Sequence, residues 1–235
     1  MSKSLAKSTS VVGGMTLASR VMGFLRDMVF ARFFGAGVGM DVFVVAFQIP
    51  NFLRRLFGEG AFSQAFVPVL SEYQSQREPG DVKHLADRVA GTLGLVLFGV
   101  TVVGVIIAPA LILLFAPGFS GEPDKLELAA TMLRITFPYL LFICLTAFAG
   151  GILNTYGRFA VPAFTPVLLN LCLIAAAMLL APRLEQPIIG LAVGVFVAGI
   201  VQLLFQLPFL RRLGLLPRPR WGWSDEGVRK ITRLM

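Results

Sequence analysis

The stretch from Gln48 to Pro68, QIPNFLRRLFGEGAFSQAFVP, constrains the fold more than any other part of this chain. It is mostly apolar and lies among apolar segments of membrane-crossing length, yet Arg54, Arg55 and Glu59 stand close to its middle. A charged side chain at the centre of a bilayer costs roughly 2.5–3.5 kcal/mol even on the mild insertion scales. These three charges therefore need partners, water or a task. Pro50 removes an amide donor, and Gly58 and Gly60 loosen the helix, so a bend is expected here. A kinked, charged helix inside a membrane bundle points to a substrate or ion pathway. A structural ion pair between Arg55 and Glu59, four apart on one helix face, is the plainer alternative.

Composition supports a membrane reading. The chain has 235 residues, 56% of them hydrophobic and only 14% charged, with a mean hydropathy of +0.79. Soluble domains carry about 25% charged residues. A spanning helix needs about 20 apolar residues, so a chain of this length holds about six with their loops. The net charge is +8. Its basic residues gather at the N-terminus, in loops and at the C-terminus, which suits contact with anionic lipid. No basic, aromatic-interleaved soluble domain is present, so nucleic acid is not expected as a partner. Cys144 and Cys172 lie in apolar segments and read as small buried hydrophobes. His84, the one histidine, has no nucleophile beside it. No metal-ligand spacing, catalytic constellation or cofactor motif is visible, so the chain is not expected to be an enzyme.

In order, the first apolar segment runs over about 8–34. At about 100° per residue, Thr16, Arg20, Gly23 and Asp27 share a stripe, flanked by Ser19 and Arg26, with Val21, Leu25, Met28 and Val29 opposite. This predicts an amphipathic transmembrane helix, the alternative being a helix lying on the membrane surface. A tight turn over 35–39 leads to a second segment, about 41–73, which as one helix would measure roughly 50 Å and must tilt, kink or protrude. Asp41, Gln48, Arg55 and Glu59 share one of its faces, flanked by Asn51 and Ser63, and Arg54 points about 100° away from Arg55. A polar loop is expected over 74–88, then an uncharged span over 89–115 whose Gly91, Gly94, Gly99 and Gly104 suit close packing. An acidic loop over 118–127 follows. Further spans are expected over 128–156, with a kink at Pro138, over 159–180 and over 188–210. Arg32 and Arg134 are expected to snorkel. The basic tail begins a helix at Ser224-Asp225-Glu226 and reads as that of a truncated chain. Lys3, Lys7, the 74–88 loop, Arg158 and the tail would all lie on one side, which makes both ends cytoplasmic.

The intramembrane charges are Arg20, Arg26, Arg54 and Arg55 against Asp27, Glu59 and, near one mouth, Asp41. All fall in the first two spans, which makes one polar wall and leaves the rest as scaffold. A guanidinium offers a planar fork for phosphate or carboxylate and stays charged when desolvated. A positive cavity predicts an anionic ligand.

These residues also carry a resemblance. TLASRVMGFLRDMVFARFFGAG, DVFVVAFQIPNFLRRLFGEGAFSQAFVPVLSEY, ITFPYLLF, GGILNTYGRFAVPAFTPVLLN and QLPFLRR are similar to stretches of the MurJ (MviN) lipid II flippases of bacteria. The resemblance covers essentially the whole chain. It implies an all-α polytopic membrane protein of the multidrug/oligosaccharidyl-lipid/polysaccharide exporter superfamily, with six transmembrane helices forming one lobe of a two-lobe exporter fold. The lobe would occupy 1–212, and 213–235 would be a basic cytoplasmic linker and the start of the next helix. It further implies substrate-binding roles for Arg20, Arg26, Asp27 and Arg54, and gate or supporting roles for Asp41, Asn51, Arg55 and Glu59. Its implied activity is flipping of the undecaprenyl-diphosphate-linked peptidoglycan precursor lipid II across the bacterial inner membrane by alternating access. The diphosphate and glycan head group of lipid II, membrane lipids and the cell-wall synthesis machinery would be the partners. Alternatives are an exporter of another polyprenyl-diphosphate glycan and a non-transporting membrane scaffold.

Overall fold

A computed structural model describes residues 3–235, leaving aside the side chains of residues 3–9 and of Glu59. The side chains of Lys3 and Lys7 and the expected Arg55–Glu59 pair therefore lie outside what is described. Helices and turns make up the described chain, with no strand among them. The helices are α1 (Lys3–Phe33), α2 (Val38–Arg54), α3 (Phe62–Gln76), α4 (Pro79–Ile106), α5 (Ala108–Phe115), α6 (Pro123–Thr136), α7 (Tyr139–Thr155), α8 (Ala160–Ala175), α9 (Ile189–Arg212) and α10 (Glu226–Leu234). Among the described residues four stretches are long and apolar enough to cross a membrane: 79–106, 123–155, 160–183 and 189–212. The first two segments, which carry the charges, do not meet that standard.

The long second segment is broken where its glycines stand. A π-helical turn, Arg55–Ala61, separates α2 from α3, and Gly60 leaves helical geometry at φ −81°, ψ −107°. π-turns inside helices recur at functional sites. At Phe137–Pro138 the fourth segment is interrupted, as its proline predicts, and α6 gives way to α7. Among the described residues three helices are followed by a glycine at positive φ, Gly35 after α1 being one, and two of these ends are closed by a returning hydrogen bond. Gly157 (φ 71°) closes α7 and Gly214 (φ 71°) closes α9. In each case the next amide reaches back five residues, Arg158 N to Leu153 O at 2.8 Å and Leu215 N to Leu210 O at 3.0 Å. This satisfies carbonyls that the helix end leaves open.

Two expected loops are instead helical. The 74–88 loop shrinks to Arg77–Glu78, because α3 runs to Gln76 and α4 starts at Pro79. Glu78 is extended (φ −71°, ψ 154°) and Pro79 opens the helix, the geometry a proline imposes before itself and favours after. The 118–127 loop is a short 3-10 turn, Pro117–Gly121, followed at Pro123 by α6. Asp124 sits in that helix's first turn, where the helix dipole favours a carboxylate. Polar composition here marks helix ends outside the apolar zone.

Two apolar cores share α7. One joins α2, α6 and α9 through Val42, Ile49, Met132, Phe137, Leu140 and Leu191. The other joins α3, α4 and α10 through Phe66, Leu70, Leu85, Phe148, Ile152 and Ile231. Helix α1 packs chiefly on α8, and α7, α8 and α9 pack on one another. Outside, α4 leaves Leu95, Phe98, Val103 and Ile106 exposed, the surface a lipid-facing span requires. Of the four glycines expected to pack closely, Gly91 and Gly104 do; Gly94 and Gly99 face open space. Gly91 lies under the segment 217–222, where Arg218 N donates to Asp87 Oδ1 at 2.6 Å and Arg220 N to Asp87 O at 3.0 Å. This extended strap leads to Asp225, whose carboxylate caps α10 by accepting from Gly227 N and Val228 N.

Candidate functional site: a polar cavity between α2, α7, α8 and α9

The site is built around carbonyls that prolines leave without an amide. Within α2, Pro50 cannot donate to Ala46 O. The Thr136 hydroxyl of α6 stands in for it at 3.3 Å, sharing its one proton between Ala46 O and Leu133 O of its own helix, also at 3.3 Å. That bond ties α2 to α6 at Ala46, five residues before Asn51. Arg54 follows a turn later, and its Nε donates to Asn51 Oδ1 at 3.1 Å. Arg54 is half-buried, whereas Arg55 is exposed, as the 100° step between them requires.

Arg54 and Asn51 stand on the wall of a cavity of about 440 Å³. One face of α7 supplies another wall, with Tyr139, Ile143, Thr146, Gly150 and Asn154 at helical spacing. Helix α8 contributes Pro162, Thr165 and Pro166. Pro166 leaves Pro162 O without its amide, and the Thr165 hydroxyl donates to that oxygen at 2.8 Å. Helix α9 contributes Gln202 and Gln206, and Gln202 Nε2 donates to Thr165 O at 2.8 Å. No carboxylate is among the described lining residues. The cavity therefore combines one guanidinium with neutral amides and hydroxyls inside an apolar bundle, which suits an anionic group bearing neutral polar parts. A larger cleft of about 730 Å³ lies at the start of α6, but Asp124, Glu127 and Glu185 line it, and those carboxylates would repel an anion.

The other expected site residues lie elsewhere. Arg26 donates from Nη1 to Asn170 Oδ1 of α8 at 3.1 Å and from Nη2 to Asp27 at 2.7 Å. Asn170 donates in turn to Ser19 O at 3.3 Å. The polar stripe of α1 is thus divided. Ser19, Gly23 and Arg26 face α8, while Arg20 and Asp27 are exposed, as are Val21, Leu25 and Met28 on the opposite side. Asp41 is exposed near the start of α2. Of the expected residues, Arg54 and Asn51 are the ones that line the 440 Å³ cavity. Asn170, Thr165, Gln202 and Gln206 were given no role by the sequence; their polar character inside apolar spans was the available signal.

The fold is that of one lobe of a membrane transporter. It superposes on a solved structure described as lipid II flippase MurJ in an inward closed conformation, with a TM-score of 0.75 at 28% identity, over 95% of this chain and 45% of that one. An outward-facing multidrug-resistance transporter of the MATE family, within the MOP superfamily, shares the fold at a TM-score of 0.70 and 15% identity, over 97% of this chain and 51% of that one. A family model described as lipid II flippase MurJ matches residues 30–235. The probable lipid II flippase MurJ of Vibrio cholerae is 54% identical over all of this chain and 46% of its own length. The lipid II flippase MurJ of Burkholderia cenocepacia is 46% identical over 98% of this chain and 46% of its own length. The chain belongs to the lipid II flippase MurJ family. It spans about half the length of these relatives.

Proposed function

We propose that the full-length protein flips lipid II across the bacterial inner membrane by alternating access, and that this chain forms one of its two lobes. The observation that carries this reading is Arg54, oriented by Asn51, on the wall of a cavity without described carboxylates. A guanidinium in such surroundings gains most from a bound diphosphate, because its hydrogen bonds are charge-assisted and little water competes. Family membership supports the choice of lipid II over another diphosphate lipid.

In this reading residues 1–212 are a six-span lobe and 213–235 the cytoplasmic linker, with both ends of 1–235 in the cytoplasm. Arg20, Arg26 and Asp27 of α1 join Arg54 in substrate binding as the lobes close. Asp41, Asn51, Arg55 and Glu59 support or gate the path. Membrane lipids and the cell-wall synthesis machinery are the surroundings in which it works.

The test is complementation of a bacterium depleted of its own flippase, using the full-length gene. Arg54→Ala abolishes growth while the protein stays at normal level in the membrane. Full complementation by Arg54→Ala would overturn the reading.

A further inference from the structure

We propose that Gln202 and Gln206 form a second recognition point in the cavity, which accepts hydrogen bonds from the neutral, hydroxyl- or amide-bearing part of the ligand. The proposal rests on the reading of the cavity as a diphosphate-lipid site and adds what holds the rest of the head group.

The two glutamines stand one turn apart on α9 and share a face. They are 2% and 1% exposed. Both line the cavity, and the Oε1 of each is buried without a hydrogen-bond partner. For Gln202 the amide orientation is set, because Nε2 donates to Thr165 O at 2.8 Å and so turns Oε1 away from that carbonyl. Buried acceptors in native proteins are almost always paired. Within an apolar bundle, only what enters the cavity can supply the missing donors.

The surroundings select the kind of donor. Carbonyl-type oxygens also suit a metal cation, but no carboxylate is among the described lining residues and Arg54 adds a positive charge. An anion would face the acceptor oxygen of Gln202, whose amide orientation is fixed. A neutral O–H or N–H remains. Sugar hydroxyls and peptide amides both provide it, and a cavity of about 440 Å³ falls in the usual range for small-ligand sites, about 300–1,000 Å³. Arg54 then serves the charge, and α9 serves the neutral head group.

The experiment uses purified full-length protein and three probes: undecaprenyl diphosphate, the same lipid carrying a disaccharide, and the same lipid carrying a disaccharide-pentapeptide. Gln202→Leu and Gln206→Leu weaken binding of a head-group-bearing lipid about fivefold or more and leave bare undecaprenyl diphosphate unchanged. Weakening already seen with the disaccharide identifies sugar donors, and weakening seen only with the pentapeptide identifies amide donors; either supports the proposal. Equal weakening of all three probes overturns it, as does no weakening of any, the result expected if water alone occupies the site. Gln202→Met and Gln206→Met, closer in shape to glutamine, are read in the same way where a leucine variant fails to fold. Equal affinity of the unsubstituted protein for all three lipids overturns it without any variant. Arg54→Ala separates the two readings. It weakens all three probes if the diphosphate reading holds, and leaves bare undecaprenyl diphosphate unchanged if that reading fails.

Discussion

Arg26 of α1 and Asn170 of α8 meet at 3.1 Å, guanidinium Nη1 to amide Oδ1, across 144 residues of chain. Asn170 answers with its own amide to Ser19 O at 3.3 Å. One buried asparagine thus holds α1 at two points a little under two turns apart. Gly23 lies beside it, where a Cβ would make an ordinary contact at 3.8 Å with Asn170 Nδ2.

From this pair comes the first prediction. Asn170→Ala removes an acceptor from a cation and a donor from a carbonyl, and lowers stability by about 1–3 kcal/mol. Arg26→Ala costs less in the Asn170→Ala background than alone, with a coupling of about 1 kcal/mol. Thermal unfolding of the four proteins in detergent measures it. Strictly additive losses would show that the bond does not help to hold α1 on α8.

The second concerns Thr136, Ala46 and Pro50. Thr136→Val deletes the hydroxyl that reaches Ala46 O and leaves that buried carbonyl open, at a cost of about 1–2 kcal/mol. Pro50→Ala restores an amide at the position from which a helix would donate to Ala46 O. Thr136→Val is therefore expected to cost clearly less when Pro50→Ala is also present. The same unfolding midpoints test this, and an undiminished cost in the double variant would rule out the hydroxyl as the substitute donor.

The third compares glycines within α4. A Cβ at Gly104 would lie 2.1 Å from the Phe137 ring, whereas at Gly94 and Gly99 it would meet nothing within 4 Å. Gly104→Ala forces α4 away from the α6–α7 break and destabilises by about 1–3 kcal/mol or more. Gly94→Ala and Gly99→Ala are neutral or slightly stabilising, because alanine restricts the unfolded chain. Unfolding midpoints that rank Gly104→Ala with the other two would contradict the packing of α4 on Phe137.

The sequence by itself determined the apolar segments, the breaks at Gly60 and Pro138, the helix start around 224–226 and the gathering of charge in the first two apolar segments. Each of these follows from composition, or from the chemistry of residues close together in the chain. It also separated Arg54 from Arg55, because helical geometry fixes the angle between neighbours. Periodicity could not say which helix each polar stripe would meet. Tertiary structure paired Arg26 with Asn170 and Thr136 with Ala46. It placed Arg54 in the same cavity as Gln202 and Gln206 while leaving Arg20 and Asp27 outside its walls. These relationships join residues far apart in sequence, and they depend on how close two helices come and on which distant donor reaches a carbonyl that a proline has opened. The local pattern holds neither quantity, so only the packed bundle could decide them.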